Sequence, residues 1–301
     1  MEFNELTARV KRMSLQEIFY RLGRYLTART VKRRKGLYSG KIPKIRIDSF
    51  QQLKMPTFII NHVSDLLMLS WDAPCFYLNG NHKQIIFEVA QQRNCYHADI
   101  THGCFKLDIR QIWESGRLQY LTIKLILPQN EESPKKNKND ILKWIKDNPF
   151  LFGPYYMSPM ELGLRIPVFF YALRSKDIDW AKKEADAVLA TIYKHTWWIS
   201  NNLALYSSLG NHTICESIGL IFGGAVFQKT EEGERWLKRG YELLETELFH
   251  QLLDDGGPAE QSLNYHRFVL DLYWLAIDFL ETNKLYECTK WRNRLNAGEK
   301  F

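Results

Sequence analysis

The chain has 301 residues, 41 of them basic and 34 acidic, which gives a formal net charge of +7. This balance mildly favours anionic partners such as nucleic acid, acidic polysaccharide or a membrane surface, and it does not choose among them. The five cysteines are odd in number and irregularly spaced, so we expect no disulfide framework. We find no secretory signal and no apolar run long enough to span a bilayer, so we expect a cytoplasmic protein, or a periplasmic or extracellular one if the N-terminus is incomplete.

Residues 1–60 are predicted to form an N-terminal unit that packs on the rest of the chain. Residues 14–33 place apolar side chains, Leu15 and Phe19 among them, near one helix face, and the basic run KRRKG follows. A helix that packs on the domain is favoured over an arm for membrane or nucleic acid. Residues 36–60 are predicted to be an extended linker with one strand at PTFII.

Residues 61–301 are predicted to form one all-α domain. Their apolar residues follow the helical period, and short Gly, Pro, Asn or Asp segments separate the helices, so neighbouring helices should run antiparallel. The polar segment PQNEESPKKNKND, at 128–140, is predicted to be a surface loop. Helical hairpins arranged in a ring or an arc fit this pattern best. The predicted helices cover residues 62–70, 83–92, 108–127, 138–148, 157–174, 177–195, 211–228, 230–251 and 261–283.

Two polar residues stand together at the start of one of these helices. In NHTICESIGLIFGGAVF, Asn211 lies three residues before the apolar stripe begins and should point inward. His212 and Glu216 are four residues apart, where the carboxylate can orient the ring. A purely structural role in capping the helix remains open, because Asn is a favoured N-cap residue and Thr213 to Glu216 has the pattern of a capping box.

A second polar helix start follows one helix later, in DDGGPAEQSLNYHRF. Ser262 is a plausible N-cap, and Tyr265 then faces inward in the first turn with His266 beside it. Tyr265 can equally be a core tyrosine with a hydrogen-bond partner. If neighbouring helices are antiparallel, both helix starts lie at the same end of the bundle, and Asn211, His212 and Tyr265 can face one cleft.

An amide, an imidazole and a phenol suit β-elimination from a uronic acid. The reaction removes the proton on C5, next to a carboxylate whose charge must first be neutralised, and Asn and His side chains can supply the donors. A tyrosine then acts as base, acid or both, with its pKa lowered from about 10 by positive neighbours for the base role. No metal or cofactor is needed.

Four segments, in order, resemble the helical N-terminal part of the heparinase II/III-like polysaccharide lyases. The resemblance implies an incomplete (α/α) toroid that binds acidic polysaccharide and carries out elimination. The segments are DIRQIWESGRLQYL (108–121), WIKDNPFLFGPYYMSPMELGLR (144–165), SLGNHTICESIGLIFGG (208–224) and DGGPAEQSLNYH (255–266).

The resemblance also implies roles for individual residues. Asn211 and His212 match the positions that neutralise the substrate carboxylate, and Tyr265 matches the catalytic tyrosine. Five further polar residues match motif positions and are expected to line the cleft; they are Glu114, Arg117, Glu161, Arg165 and Gln261. Glu260 and His266 of the segment 255–266 are also expected to bind substrate, as is Asn202, which follows the aromatic segment that contains Trp197 and Trp198. The alternative for Glu161 and Arg165 is an ordinary salt bridge within one helix, and Arg117 can clamp a sugar carboxylate.

The chain departs from the family pattern at two points. Tyr156 stands where a tryptophan is usual. The family carries a β-sandwich domain after the toroid, which supplies another catalytic histidine, and this sequence stops before it. That histidine is expected from such a domain or from a partner, and activity of the 301 residues alone is an open expectation.

Several other interpretations are kept beside the lyase. The segment CYHADITHGC, at 95–104, has zinc-type ligands at tight spacing, and a plain loop is favoured over a metal site. Trp197 and Trp198 can stack on sugar rings or belong to the core. A glycoside hydrolase would need paired carboxylates, for which Asp254, Asp255 and Glu260 are candidates. A non-catalytic module that binds acidic glycans is a third possibility, and a nucleic-acid binder is disfavoured because no recognition motif is present.

Overall fold

The computed structural model describes residues 13–34, 38, 40–45, 50, 52–56, 82–126 and 132–301. Within these residues the regular structure is helical, with two isolated β-bridges and no strand, which confirms the all-α prediction. The predicted helix at 62–70 and all of the predicted PTFII strand (56–60) except Pro56 lie outside the described residues. In the described part of the chain the α-helices are α1 (Leu15–Arg33), α2 (His82–Gln92), α3 (Ile109–Gly116), α4 (Tyr120–Ile126), α5 (Ser133–Asp147), α6 (Pro159–Arg174), α7 (Lys182–Asn201), α8 (Asn211–Val226), α9 (Glu231–Gln251), α10 (Leu263–Thr282) and α11 (Thr289–Lys300).

The helices form hairpins that stack side by side. Helix α6 pairs with α7, α8 with α9, and α10 with α11, while α6, α8 and α10 contact one another in succession. Helix α8 lies at the centre and is buried over almost its whole length because its sequence is apolar on every side. This layered arc of helical hairpins is the architecture of an incomplete (α/α) toroid, as predicted.

The three inner helices start at the same end of the arc. Near their starts, Gly163 of α6 meets the Cys215 carbonyl of α8, and a Cβ on Gly163 would lie 2.1 Å from that oxygen. Near their far ends, Phe222 of α8 stacks on Phe279 of α10 with ring centroids 4.0 Å apart, and Phe170 of α6 contacts both rings. The prediction that α8 and α10 begin at one end of the bundle is therefore correct.

Three segments differ from the predictions. The helix expected at 108–127 is broken at Leu118, which has a φ of 62° and is buried, so that Arg117 closes α3. The loop expected at 128–140 is wrong from Ser133 onward, because α5 begins there with Pro134 in its first turn. Helix α11 was not predicted, because only two of its side chains, Trp291 and Leu295, are buried.

Helix α1 packs on the domain through Val31, which is buried, and through hydrogen bonds from Tyr20 and Arg21. The Tyr20 hydroxyl donates to the Leu203 carbonyl at 2.7 Å, and Arg21 donates to the Tyr206 carbonyl at 2.8 Å. The apolar stripe of α1 faces outward instead, with Leu15 74% and Phe19 70% exposed. No helix among the described residues is both long and apolar enough to cross a membrane.

Candidate functional site

The start of α8 holds a carboxylate. The Asn211 backbone N–H donates to Glu260 Oε1 at 3.3 Å, and Asn211 Nδ2 donates to Glu260 Oε2 at 3.2 Å. The N-terminus of a helix favours a negative group, because its first N–H groups have no partner within the helix. The turn before α10 brings Glu260 here, so the two polar helix starts are joined by direct hydrogen bonds.

The capping interpretation of Asn211 is wrong. Gly210 is the N-cap residue and has no side chain with which to cap the helix, while Thr213 and Glu216 lie inside it and are buried. The backbone N–H of Gly210 donates to Glu247 Oε2 of α9 at 3.1 Å. Gly210 has a φ of 90°, and an added Cβ would lie 2.5 Å from Glu260 Oε1, so this position requires glycine.

His212 lies among charged groups rather than beside Glu216. Burial lowers the pKa of His212, the Glu161 and Glu260 carboxylates raise it, and the Arg117 guanidinium lowers it. The prediction that Glu216 orients the ring is wrong, because Glu216 Oε2 accepts the Ala204 N–H at 2.8 Å and Oε1 has no hydrogen-bond partner among the residues that the structure describes. Burial raises the pKa of Glu216 to about 8.

Arg117 and Glu161 form a two-point ion pair beside His212. Arg117 Nε donates to Glu161 Oε2 at 2.7 Å and its Nη2 donates to Oε1 at 3.0 Å, and Glu161 is only 1% exposed. Glu114 lies 3.9 Å from the same guanidinium, and burial raises the pKa of this carboxyl. The pair fixes the orientation of Arg117. Its remaining amino group, Nη1, takes no part in the two hydrogen bonds to Glu161.

Arg165 does not pair with Glu161, so the alternative of a salt bridge within α6 is wrong. Its buried guanidinium donates to the Tyr155 carbonyl at 3.0 Å and to the carbonyl of Gly116, the residue before Arg117. Arg165 therefore does not reach the cleft as a substrate ligand and instead anchors the end of α3 that presents Arg117.

Tyr265 is an exposed residue at the start of α10. Its side chain is 44% exposed, which excludes the core-tyrosine alternative, and its backbone N–H donates to Ser262 Oγ, the predicted N-cap. Tyr265 and Glu260 line one small cavity. The phenol thus stands at the surface, next to the residue that contacts Asn211.

Four residues that were predicted to contact the substrate are buried, bonded to other protein groups or part of a turn instead. Trp198 is 2% exposed and packs edge-on against His97 and Phe150, so it belongs to the core and cannot stack on a sugar in this structure. Asn202 is buried and donates to the Trp198 carbonyl at 3.0 Å. The His266 ring bonds through Nε2 to the Gly298 carbonyl at 2.8 Å and is buried against α11.

Gln261, the fourth, is exposed with a φ of 51°, and it shapes the turn that carries Glu260. The segment 95–104 folds into two short 3₁₀ turns, and its His97 is half-buried beside Trp198. Among the described residues no group of three or more His, Cys, Asp or Glu side chains is placed to hold a metal ion.

Two residues of the site were not predicted from the sequence. Glu247 fixes the Gly210 N–H, and Gln251 lies against Gly210 from the end of α9. A signal for Glu247 existed, because its carboxylate falls within the apolar stripe Leu243, Leu244, Leu248, where a charged residue needs a buried partner.

Parts of this chain are similar in sequence to known proteins. Residues 144–290 match the family profile of the heparinase II/III N-terminus. A heparin-sulfate lyase of Bacteroides stercoris is 30% identical over 93 residues, which cover 31% of this chain and 14% of that protein. A heparin-sulfate lyase of Bacteroides thetaiotaomicron is 31% identical over 80 residues, which cover 27% of this chain and 11% of that protein.

Solved structures of heparinase III are also similar. One, with methylated lysines, is 18% identical with a TM-score of 0.48, over 86% of this chain and 49% of that chain. A second is 17% identical with a TM-score of 0.47, over 91% of this chain and 46% of that chain. The chain thus spans less than half the length of the relatives it matches. Residues 144–290, which contain Asn211, His212 and Tyr265, are thus similar to the heparinase II/III N-terminus.

Proposed function

We propose that this chain binds a uronate-containing polysaccharide and takes part in its cleavage by β-elimination. The observation that carries the proposal is the carboxylate held at the start of α8. The backbone and side-chain N–H groups of Asn211 bind Glu260 there, which is the chemistry needed to bind the carboxylate of a uronic acid. Relatives named heparin-sulfate lyase support a polysaccharide of this class as the substrate.

In the proposed reaction, Asn211 and His212 stabilise the charge that develops on the substrate carboxylate. Tyr265 takes the C5 proton, the electron pair forms the C4–C5 double bond, and the bond from C4 to the glycosidic oxygen breaks. The departing oxygen receives a proton from Tyr265 or from the additional histidine that we propose a β-sandwich domain or a partner supplies. The exposed phenol of Tyr265 leaves room for a polymer to approach.

Glu260 and the substrate carboxylate compete for one position in this proposal. The Glu260 side chain is on an exposed turn, and its hydrogen bonds to Asn211 are long, at 3.3 and 3.2 Å. Displacing its carboxylate from Asn211 therefore costs little free energy. We therefore propose that Glu260 occupies the site at rest and swings outward when the glycan binds. Arg117, fixed by Glu161, lies close enough to His212 to attract the incoming acid.

The hydrolase alternative has less support. Asp254 is exposed and bonds to Arg294 at 2.7 Å, and Asp255 accepts the Gly257 N–H at 2.8 Å within the turn. Neither aspartate is placed as one of a pair of carboxylates across a cleft, as hydrolysis of a glycosidic bond requires.

The test is an ultraviolet assay for the unsaturated uronate product, run with heparan-type, chondroitin-type and alginate-type polysaccharides. Tyr265→Phe should abolish any signal while preserving the fold, because the phenol hydroxyl is the group that moves the proton. Tyr25→Phe, at an equally exposed tyrosine on α1, is the matched control and should leave the rate unchanged. Equal rates for wild type and Tyr265→Phe would refute the assigned role.

If no polysaccharide gives product, binding is measured by titration on the same panel. Saturable binding that is weakened by Asn211→Ala would support the glycan-binding part of the proposal and the need for a further histidine. An absence of binding to every acidic polysaccharide would refute the proposed function.

A further inference from the structure

The outward face of α1 is apolar along its N-terminal half. Leu15, Phe19, Leu22 and Leu26 are spaced three or four residues apart, so they form one stripe along the helix. Each of the four is at least half exposed, and none of them packs against the hydrophobic core. Soluble proteins rarely expose a contiguous row of large apolar side chains, so this stripe indicates a surface that binds a partner.

Contacts on the opposite side of α1 keep the stripe turned outward. Val31 is buried in the core near the end of the helix. Closer to its start, Tyr20 and Arg21 donate hydrogen bonds to backbone carbonyls of the segment 203–206. A rotation that buried the stripe against the domain would break all of these contacts. The exposure of the stripe is therefore a property of the folded domain.

The C-terminal half of the same face is cationic. Arg29 and Arg33 follow Leu26 by three and seven residues, so they continue the line of the stripe. Both arginines are exposed, and neither forms an ion pair with another residue that the structure describes. The outward face of α1 thus combines four large apolar side chains with two positive charges that are available to a partner.

The carboxylates that bond to side chains of α1 do not neutralise these two charges. Glu17 is the single acidic residue of the helix, against five basic residues, and it accepts from Arg21 Nε at 2.7 Å on the domain side. Asp99, from outside the helix, pairs with Lys32 at 2.6 Å. The partner that best fits this face is therefore anionic as well as apolar.

A second copy of the chain fits this face poorly. A two-fold dimer requires a face that is complementary to itself. In a parallel pairing of two α1 helices, Arg29 and Arg33 would meet the same arginines of the other copy. In an antiparallel pairing they would meet Leu15 and Phe19, which offer them no acceptor. An acidic polysaccharide would pair with the arginines but would leave the apolar stripe in water.

We propose that α1 binds the surface of a bilayer that contains anionic lipid, and so holds the helical domain against a membrane. The helix lies in the plane of the surface, with Phe19 and Leu22 among the acyl chains and Arg29 and Arg33 bonded to lipid phosphates. It lies on the bilayer and does not cross it. No residue of α1 belongs to the Asn211 site, so this inference stands apart from the proposed function.

The experiment is co-sedimentation of the whole chain with vesicles. One set of vesicles is phosphatidylcholine alone, and the other also contains phosphatidylglycerol. The chain should bind the anionic vesicles at least about tenfold more tightly than the neutral ones, because the arginines are attracted to anionic lipid. High salt should weaken this binding, because it screens charges at the surface.

One variant tests the apolar stripe. Phe19→Gln should weaken binding to anionic vesicles by about tenfold, because the ring no longer enters the acyl region. Phe87→Gln is the matched control, since Phe87 is an exposed phenylalanine on α2, and it should leave binding unchanged. Both side chains are exposed, so both variants should keep the circular-dichroism spectrum of the wild type.

A double variant tests the charges. Arg29→Gln with Arg33→Gln should weaken binding to anionic vesicles by at least about tenfold and should reduce its dependence on salt. Lys182→Gln with Lys183→Gln removes the same charge from two exposed lysines at the start of α7 and should have little effect.

Several results would overturn the inference. One is an absence of binding to anionic vesicles, and another is binding that Phe19→Gln leaves intact. A third is a dimer, seen by light scattering, that Phe19→Gln dissociates while vesicles do not bind, since the face would then join two copies. The last is binding of heparan-type polysaccharide that requires Arg29 and Arg33 without any binding to vesicles. The elimination assay uses soluble polysaccharide and no lipid, so its outcome leaves this inference unaffected.

Discussion

Glu216 makes the stability of this protein depend on pH in a way that one substitution can remove. The carboxyl group is fully buried in α8, and burial raises its pKa from 4.5 to about 8. The folded state therefore binds this proton more tightly than the unfolded state. Stability is greatest below the unfolded pKa and is lost as the pH rises through the folded pKa.

The size of the effect follows from the two pKa values. Between pH 5 and pH 8, a carboxyl whose pKa rises from 4.5 to about 8 on folding lowers the free energy of unfolding by about 3 kcal/mol. Glu216→Gln keeps an acceptor for the Ala204 N–H and removes the titration. Between pH 5 and pH 8 the free energy of unfolding should therefore fall by about 3 kcal/mol more in the wild type than in the variant.

Urea unfolding at pH 5, 6, 7 and 8, followed by circular dichroism, measures this difference. Other titrating groups are present in both proteins and cancel when the two curves are subtracted. Glu234→Gln, at an exposed carboxylate on α9, is the control and should follow the wild-type curve. Parallel curves for wild type and Glu216→Gln would refute the reasoning, since they would mean that the folded protein solvates or pairs this carboxylate.

Three further predictions concern the α8 site. Gly210→Ala should lower the melting temperature, at a cost of about 1–2 kcal/mol, because its φ is 90° and the new Cβ meets Glu260; a stabilised variant would contradict the geometry. Glu161→Gln should cost about 3 kcal/mol in urea unfolding, because it removes the two-point partner of the largely buried Arg117 and leaves that guanidinium with the 3.9 Å contact to Glu114; a cost below about 1 kcal/mol would mean that Arg117 is solvated. Asn211→Asp sets a second carboxylate against Glu260, so acidic polysaccharide should bind more weakly in titrations; unchanged affinity would exclude a carboxylate site there.

Local sequence predicted much of the helical framework. Helices α8, α9 and α10 begin and end within two residues of the predicted bounds, because each has a long apolar stripe and clear breaking residues at its ends. Short connections then required antiparallel neighbours, and this alone placed Asn211 and Tyr265 at the same end. Weakly apolar helices were missed, as with α11 and the first turns of α5, where solvent-facing residues dominate the pattern.

The pairing of polar side chains could not be predicted in the same way. The residues that hold the site together are far apart in sequence, with Arg117 bonded to Glu161 44 positions away and Asn211 bonded to Glu260 49 positions away. Spacing along one helix suggested the nearer partners Arg165 and Glu216, and both were wrong.

The sequence by itself determined that this protein is a set of amphipathic helices with polar groups at two helix starts, because apolar periodicity and breaking residues act over a few residues. Only the tertiary structure decided which neighbour covers each face. It buried Trp198, turned the apolar stripe of α1 outward and set Glu260 against Asn211. A local pattern shows that a face is apolar or that a charge needs a partner, whereas the identity of that partner depends on how distant helices pack.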